Sequence, residues 1–376
     1  MRIAIDALPI NNFSGRNVLG GHLRNLAAAA DGRHSLHVFH HAGNRDLRRD
    51  LGAQVEWIEC AGVDGGWVRR LLWQRFNMQR RLDAIGADLL LSTSGALVPG
   101  VHTPQAVLVQ NPWCFFPQFH GTTLERLKAR LQRHGYRRAQ REGAALFYLS
   151  DYMARAYRDN AVSAPRHGAT VLVGVDDGMF VQAATEGVPD FVQRAPEIVT
   201  VSVMTPHKAV EDVLAALALL RQRNIDARLA LVGPWSDPGY RAQIEVHIDT
   251  LGLRDVVTIT GAVSAAELVA HYRRARVFCL LSRCESFGIP AVEAQVFGTP
   301  TVVADVCAPP EIAGPGGMCV APGDITAAAD ALQRLLCDEP TWRTESDSAL
   351  ANAERFRWSR LSRPIIDFIE QWQAAA

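Results

Sequence analysis

Short apolar runs recur along the chain, separated by longer stretches in which apolar positions repeat at helical spacing. In the first half the runs Met1–Leu8, Ser35–His40, Val55–Glu59, Asp88–Leu91, Gln105–Val109, Ala144–Leu149 and Ala169–Val173 are read as strands. Helical spacing covers His22–Ala30, Trp67–Ile85, Leu124–Glu142 and Asp151–Asp159, with Ser150 as N-cap of the last. In the second half the strands Ile198–Val203, Ala227–Val232, Val256–Thr260, Val277–Leu281 and Thr301–Ala304 alternate with helices over 208–223, 238–252, 265–274, 291–298 and 325–337. Continuous apolar strands alternating with helices predict an α/β protein of parallel sheets covered on both faces. Thr185–Pro196 lacks periodicity and carries Gly187, Pro189 and Pro196, so it reads as a linker. Arg355–Gln373, with Trp358 and Trp372, reads as a C-terminal helix. The expected organisation is a first domain over 1–184, a linker over 185–196, a second domain over 197–355 and a C-terminal segment over 356–376.

Composition narrows this picture. At 376 residues the chain is too long for one ordinary core and suits two domains. Apolar residues make up 48% and charged residues 21%, which excludes a disordered chain. The formal net charge is zero, so nothing global points to nucleic acid. Seven scattered cysteines with no C-x-x-C suit a reducing cytosol and neither a zinc site nor a disulfide framework. The N-terminal apolar run is too short for a signal peptide, and no run is long enough to span a membrane.

One local feature is cationic. In 124–142, Leu124, Leu127 and Leu131 share a helix face, and Arg126, Lys128, Arg130, Arg133, Arg137, Arg138 and Arg141 crowd the rest. Two readings stand side by side: a helix lying on an anionic membrane surface, or a solvated face whose leucines pack on the sheet.

The chemistry concentrates in 277–300, VFCLLSRCESFGIPAVEAQVFGTP. The strand Val277–Leu281 leaves through the polar turn Ser282–Glu285, and Gly288 and Pro290 open a helix. Glu285 and Glu293 bracket that start. The amides of Ser286, Phe287, Gly288 and Ile289 are expected to point outward there, as at any helix N-terminus. Amides and helix dipole suit a diphosphate, and carboxylates suit sugar hydroxyls. Lys208, at the start of the helix over 208–223, opposes the helix dipole, which an anionic ligand would explain. Ile10–Gly21, with Gly15, Gly20 and Gly21, is expected to form a turn between the first strand and helix. Gly62–Gly66 is expected to be a loop.

The run E-S-F-G-I-P-A-V-E-A, followed by F-G-T-P-T-V-V, resembles the nucleotide-sugar signature of retaining glycosyltransferases of family 4, which have the GT-B fold. The resemblance implies two Rossmann-like parallel-sheet domains facing each other across a cleft, with the C-terminal helix returning to the first. It places Glu285 on the transferred sugar, Glu293 on the ribose and Lys208 on the diphosphate. It also places Gly20-Gly21 near donor and acceptor and Val263 beside the nucleobase. An arginine usual shortly before the lysine is missing from Val203-Met204-Thr205, and His207 is the candidate to replace it in part. Where relatives carry a histidine near the acceptor, this chain has Gln110 and Asn111, which can bind sugar hydroxyls but cannot act as a base. His120, nearby, reads as a loop residue, and Val175-Asp176-Asp177 as part of the crossing between domains.

The implied activity is hexose transfer, with retention, from a GDP- or UDP-sugar, mannose or rhamnose type favoured, to a glycan or lipid-linked glycan. No metal and no further cofactor is implied. Bacterial surface polysaccharide or lipopolysaccharide synthesis is the implied setting, in the cytoplasm or at the inner face of its membrane. A pyridoxal-dependent phosphorylase shares the fold class, but no motif for that cofactor is seen. The alternative is a non-catalytic nucleotide-sugar-binding protein, which the absent arginine and histidine keep open.

Overall fold

The computed structural model describes residues 1–11, 13–30, 32–48, 51, 54–63, 66–161 and 163–375. Asp64 and Gly65, in the expected loop 62–66, lie outside them. Packing divides the chain into two units, Met1–Gly174 with Trp358–Ala376, and Val175–Arg357. The boundary therefore falls earlier than the expected 184.

The first unit runs β1 (Arg2–Asp6), α1 (Phe13–Ala30), β2 (Ser35–His40), β3 (Val55–Glu59), α2 (Trp67–Ile85), β4 (Leu89–Ser92), β5 (Gln105–Val109), α3 (Thr123–Glu142), β6 (Ala145–Tyr148), α4 (Asp151–Asp159) and β7 (Gly168–Thr170). Its seven strands are ordered β3-β2-β1-β4-β5-β6-β7, and every pair is parallel. Four-residue β4 and β6 are buried throughout, which is why they read as mostly apolar runs.

The second unit runs α5 (Asp177–Glu186), β8 (Ala195–Val201), α6 (Val210–Gln222), β9 (Arg228–Val232), α7 (Pro238–Thr250), β10 (Val257–Gly261), α8 (Ala265–Arg274), β11 (Ala275–Leu280), α9 (Ile289–Val296), β12 (Thr301–Ala304), α10 (Pro309–Ala313), β13 (Gly317–Val320), α11 (Ile325–Cys337) and α12 (Glu339–Ala353). Its six strands are ordered β10-β9-β8-β11-β12-β13, again all parallel. The direction of winding reverses beside β1 in one sheet and beside β8 in the other. Ligands of such sheets bind beyond the carboxyl ends of the strands at that reversal. The chain ends in α13 (Trp358–Leu361) and α14 (Arg363–Ala375), which pack in the first unit.

Several expectations are corrected. Helix α1 starts at Phe13, so Gly20 and Gly21 lie inside it and not in a turn before it. Their setting explains the glycines differently. A Cβ on Gly21 would lie 2.1 Å from Trp358 Cζ2, so the absent side chain lets the indole of α13 lie against α1. His22, next in sequence, meets the same indole edge-on at 5.0 Å. Burial pushes the His22 imidazole down to about 3, so it is neutral there. Helix α5 occupies part of the expected linker. Its cap is Asp176, whose carboxylate accepts from the Gly178 amide at 2.7 Å. Strand β13 and helices α10 and α12 were not foreseen. The expected single C-terminal helix is broken between α13 and α14.

Helix α3 buries Ala129, Tyr136, Ala139 and Gln140, while Leu124, Leu127 and Leu131 are 73%, 55% and 56% exposed. The leucines therefore do not pack on the sheet. Among the described residues no helix is long and apolar enough to cross a membrane.

At the carboxyl end of β1, Asp6 is fully buried. Its carboxylate accepts from the Leu8 amide at 3.2 Å and from Gln74 Nε2 at 2.6 Å. Burial outweighs these bonds and the Arg70 charge and pushes the carboxyl up to about 7. The folded state thus holds this proton to higher pH than the unfolded chain does. The stability it contributes is fully present at low pH and declines as pH rises from about 4 to about 7, by roughly 4 kcal/mol at 1.36 kcal/mol per pKa unit. Melting of wild type and Asp6→Asn across that range should show the decline only in wild type. Parallel curves would remove the assignment.

Candidate active site

The site is built where β8 and β11, the two central strands of the second sheet, end side by side. After β8, the turn Pro206–Lys208 leads through Ala209, at φ 51°, into α6. After β11, Ser282–Phe287 lead to Gly288, whose φ of 97° is the left-handed conformation glycine tolerates. The two loops are tied by the Arg283 amide, which donates to the His207 carbonyl at 2.8 Å. Pro290 sits in the first turn of α9, where an amide has no intrahelical partner. Among the described residues, the amides of Ser286, Phe287 and Gly288 donate to no other residue.

Lys208 and Glu285 form an ion pair, Nζ to Oε2, with side chains 13% and 16% exposed. They are far apart in sequence and come together only through the adjacency of β8 and β11. Lys208 ends the turn before α6 and is not the first residue of the helix. His207 keeps exposed surface, and its Nδ1 lies 3.1 Å from Thr205 Oγ1. Desolvation, then the Lys208 charge, push its imidazole below the usual range, against the pull of Glu285. Its ring thus remains a hydrogen-bonding group beside Lys208. The nearest arginine in the tied loops, Arg283, is engaged elsewhere, with Glu211 at 3.3 Å and Asp212 at 3.2 Å.

Glu293 lies one turn into α9 and is partly buried. It accepts a hydrogen bond from Tyr272 Oη at 2.7 Å. Burial raises its pKa, the Tyr272 bond lowers it, and the neighbouring Asp176 carboxylate raises it again. Asp176 is thus a site neighbour that the sequence reading left in the crossing segment. The signal was available: Asp-x-Gly before a helical stretch is an N-cap pattern.

Cys284 and Cys307 were also missed. Leu280 of β11 pairs with Val303 of β12, and the two cysteines follow these partners at equal distance along the chain. The Ala308 amide donates to the Glu285 carbonyl at 3.4 Å, joining the two loops. A hydrogen bond between the thiols, then burial, push the Cys284 thiol far above its usual range.

The remaining candidates are dispersed. Val263 stands past the end of β10, the edge strand, just before Ser264, which caps α8. In the first unit, Gln110 Nε2 donates to the Thr93 carbonyl at 3.3 Å. Asn111 Oδ1 accepts from the Trp113 amide at 2.8 Å, leaving its Nδ2 for other partners. His120 is buried, 3.0 Å from the Trp113 carbonyl, its ring tilted 59° to that indole at 4.3 Å. Gly20 and Gly21 are buried within α1 and offer no turn amides. Among the described residues no group of three or more His, Cys, Asp or Glu side chains is placed to hold a metal ion.

The strand-end lysine thus meets the first glutamate of E-x7-E just before a glycine-capped helix. The family description "Glycosyl transferases group 1" matches this chain over residues 184–355. Residues 184–355 belong to the glycosyl transferases group 1.

This group 1 domain coincides with most of the second unit. Among relatives, an MMP alpha-(1->4)-mannosyltransferase of Mycolicibacterium hassiacum is 34% identical over 57% of this chain and 50% of its own. A D-inositol 3-phosphate glycosyltransferase of Thermobifida fusca is 32% identical over 57% of this chain and 54% of its own. The chain spans about half the length of these relatives. An alpha-D-kanosaminyltransferase of Streptomyces kanamyceticus is 28% identical over 75% of this chain and 76% of its own. Among solved structures, sucrose-phosphate synthase from Thermosynechococcus elongatus superposes with a TM-score of 0.78 at 19% identity, covering all of both chains. An Anabaena protein solved with UDP-glucose gives 0.72 at 16% identity, over 99% of this chain and 100% of its own. The fold is therefore GT-B, with Rossmann-like sheets in both units.

Proposed function

We propose that this protein is a retaining, metal-independent glycosyltransferase. Its donor is a GDP- or UDP-hexose, of mannose or rhamnose type, and its acceptor a glycan or lipid-linked glycan of bacterial surface polysaccharide or lipopolysaccharide. It works on the cytoplasmic side of the membrane, with α3 against the anionic surface. The observation that carries this reading is the Lys208–Glu285 pair beside the start of α9. The relatives' names, among them a mannosyltransferase, support the donor class, and the exposed leucines of α3 support the membrane contact.

The chemistry follows from these groups. The diphosphate takes the amides of 286–289 and the Lys208 ammonium, which separates Lys208 from Glu285. The freed Glu285 carboxylate accepts from a sugar hydroxyl and faces the positive charge that develops at the anomeric carbon. The anomeric C–O bond to phosphate breaks and the acceptor oxygen bonds on the same face. The acceptor proton leaves with the departing phosphate oxygen. Ammonium and fixed amides stabilise the leaving charge as it grows, without reorganising. Val263 lies along the base, and Gln110 and Asn111 hold sugar hydroxyls.

A thermal-shift panel of UDP, GDP, UDP-glucose and GDP-mannose tests donor binding, followed by nucleoside diphosphate release with membrane extracts as acceptor. A flat panel would end the reading. Binding without release under any extract would favour the non-catalytic alternative. Glu293, held by Tyr272, is assigned to the ribose. Glu293→Ala should raise donor KM about 10- to 100-fold, the worth of a hydrogen bond to a charged group, with kcat within a few-fold of wild type.

A further inference from the structure

Helix α3 carries more than its leucines. Its buried face is Ala129, Tyr136, Ala139 and Gln140. Between that face and the exposed leucines runs a stripe at helical spacing: Arg126, Arg130, Arg133, His134, Arg137 and Arg141. A cavity of about 430 Å³ opens on this stripe, lined by Arg130, Arg133, His134 and Arg137.

Two of the cations lining it are anchored but not neutralised. Arg133 Nη2 donates to the Cys114 carbonyl at 2.8 Å, and Arg137 Nε to the Asn160 carbonyl at 3.1 Å. Both anchors are neutral backbone oxygens. Among the described residues, no carboxylate pairs with Arg130, Arg133 or Arg137, whereas Arg138, on another face of the same helix, pairs with Glu142 at 2.7 Å. Arg133 Nε is shielded from solvent and has no partner. An unmet buried donor is costly, and so is crowding like charges. A bound anion would relieve both. Guanidinium forks match phosphate oxygens two at a time, and anchored forks lose little freedom in doing so.

The geometry points to a phosphate-binding site in this cavity of the first unit, whereas the proposed donor residues belong to the second. It takes a phosphate monoester or diester, borne by an anionic lipid headgroup or by a soluble phosphorylated acceptor. The cavity deepens the membrane part of the proposed function and rests on that reading only for the source of the phosphate. The leucine stripe beside it favours the lipid.

The test uses the full chain with two probes, vesicles of phosphatidylglycerol in phosphatidylcholine and glycerol 1-phosphate at constant ionic strength. In wild type, the NMR signals of the His134 ring should move with one probe or both; no movement with either overturns the site. R130Q/R133Q/R137Q should weaken vesicle binding on the order of 100-fold, from three cations near an anionic surface. R69Q/R80Q/R81Q, removing equal charge from α2, should cost less than tenfold. Equal losses in the two triples would reduce the effect to general charge and overturn the proposal. L127Q/L131Q should weaken vesicle binding and leave glycerol 1-phosphate binding as in wild type. Loss of vesicle binding in the cavity triple assigns the phosphate to lipid; loss of glycerol 1-phosphate binding alone assigns it to a soluble acceptor. The thermal shift with UDP and GDP is read in the same samples. Its absence would count against the transferase reading and not against the cavity.

Discussion

Lys208→Ala lowers kcat by about 10²- to 10³-fold, the scale for losing one fixed donor to a developing anion. The ammonium is partly buried, so its charge acts in surroundings less polar than water. Under the proposed mechanism, removing it takes away stabilisation of the leaving diphosphate, and it also leaves Glu285 as an unpaired, partly buried carboxylate. Under the same mechanism Glu285→Ala should fall by a similar factor, because the oxocarbenium-like sugar would lose its facing charge. The double variant should be little worse than either single one, since the two residues act as a unit. Single-turnover rates with saturating donor check this. A kcat within threefold of wild type in both singles would dissociate the pair from the chemistry.

Arg194→Met destabilises the second unit by about 3–5 kcal/mol, the range for breaking a buried charged network. Arg194 is 3% exposed and leads the chain into β8. Its guanidinium donates to the carbonyls of Tyr272 at 3.1 Å and Ala275 at 2.9 Å, to Thr299 Oγ1 at 2.7 Å, and to the Phe297 carbonyl. Its Nε donates to the Pro189 carbonyl at 3.0 Å. Burial pushes this guanidinium down to about 9, so it remains charged near neutral pH. One side chain thus joins the entry to β8, the start of β11 and the residues that end α9. A methionine fills much of the volume and leaves those carbonyls unmet. Urea unfolding of the second unit measures the loss, and nucleotide protection of the melting temperature should fall with it. A change below about 1 kcal/mol would show that the carbonyls find other partners.

Both parallel sheets could be read from alternating apolar runs and helical stretches, because strands covered on both faces are mostly apolar. The donor-side motif was legible for a related reason. Gly288 and Pro290 announce a helix start, and Glu285 and Glu293 bracket it within one short stretch. Helix α12 was not legible, since its buried side includes Ser346 and Asn352 along with Trp342 and Ala349. Asn352 is buried because its amide donates to Gln295 Oε1 at 2.7 Å and to the Ile312 carbonyl at 2.9 Å. Such partners are invisible to periodicity. The start of α1 was misjudged because glycine is taken as a helix breaker, whereas Gly21 is there for the Trp358 indole.

The chain's local chemistry determined the α/β class, the order of most strands and helices, and the glycine-opened helix start that Glu285 and Glu293 bracket. These depend on neighbours in sequence, through apolar period, capping and φ preference. Only the tertiary structure decided that Lys208 meets Glu285, that Asp176 stands by Glu293, and that Cys284 lies against Cys307. It also decided that three leucines of α3 face outward. Those facts depend on strand adjacency and on burial. Both are set by which parts of the chain exclude water from one another, a property that no short stretch carries alone.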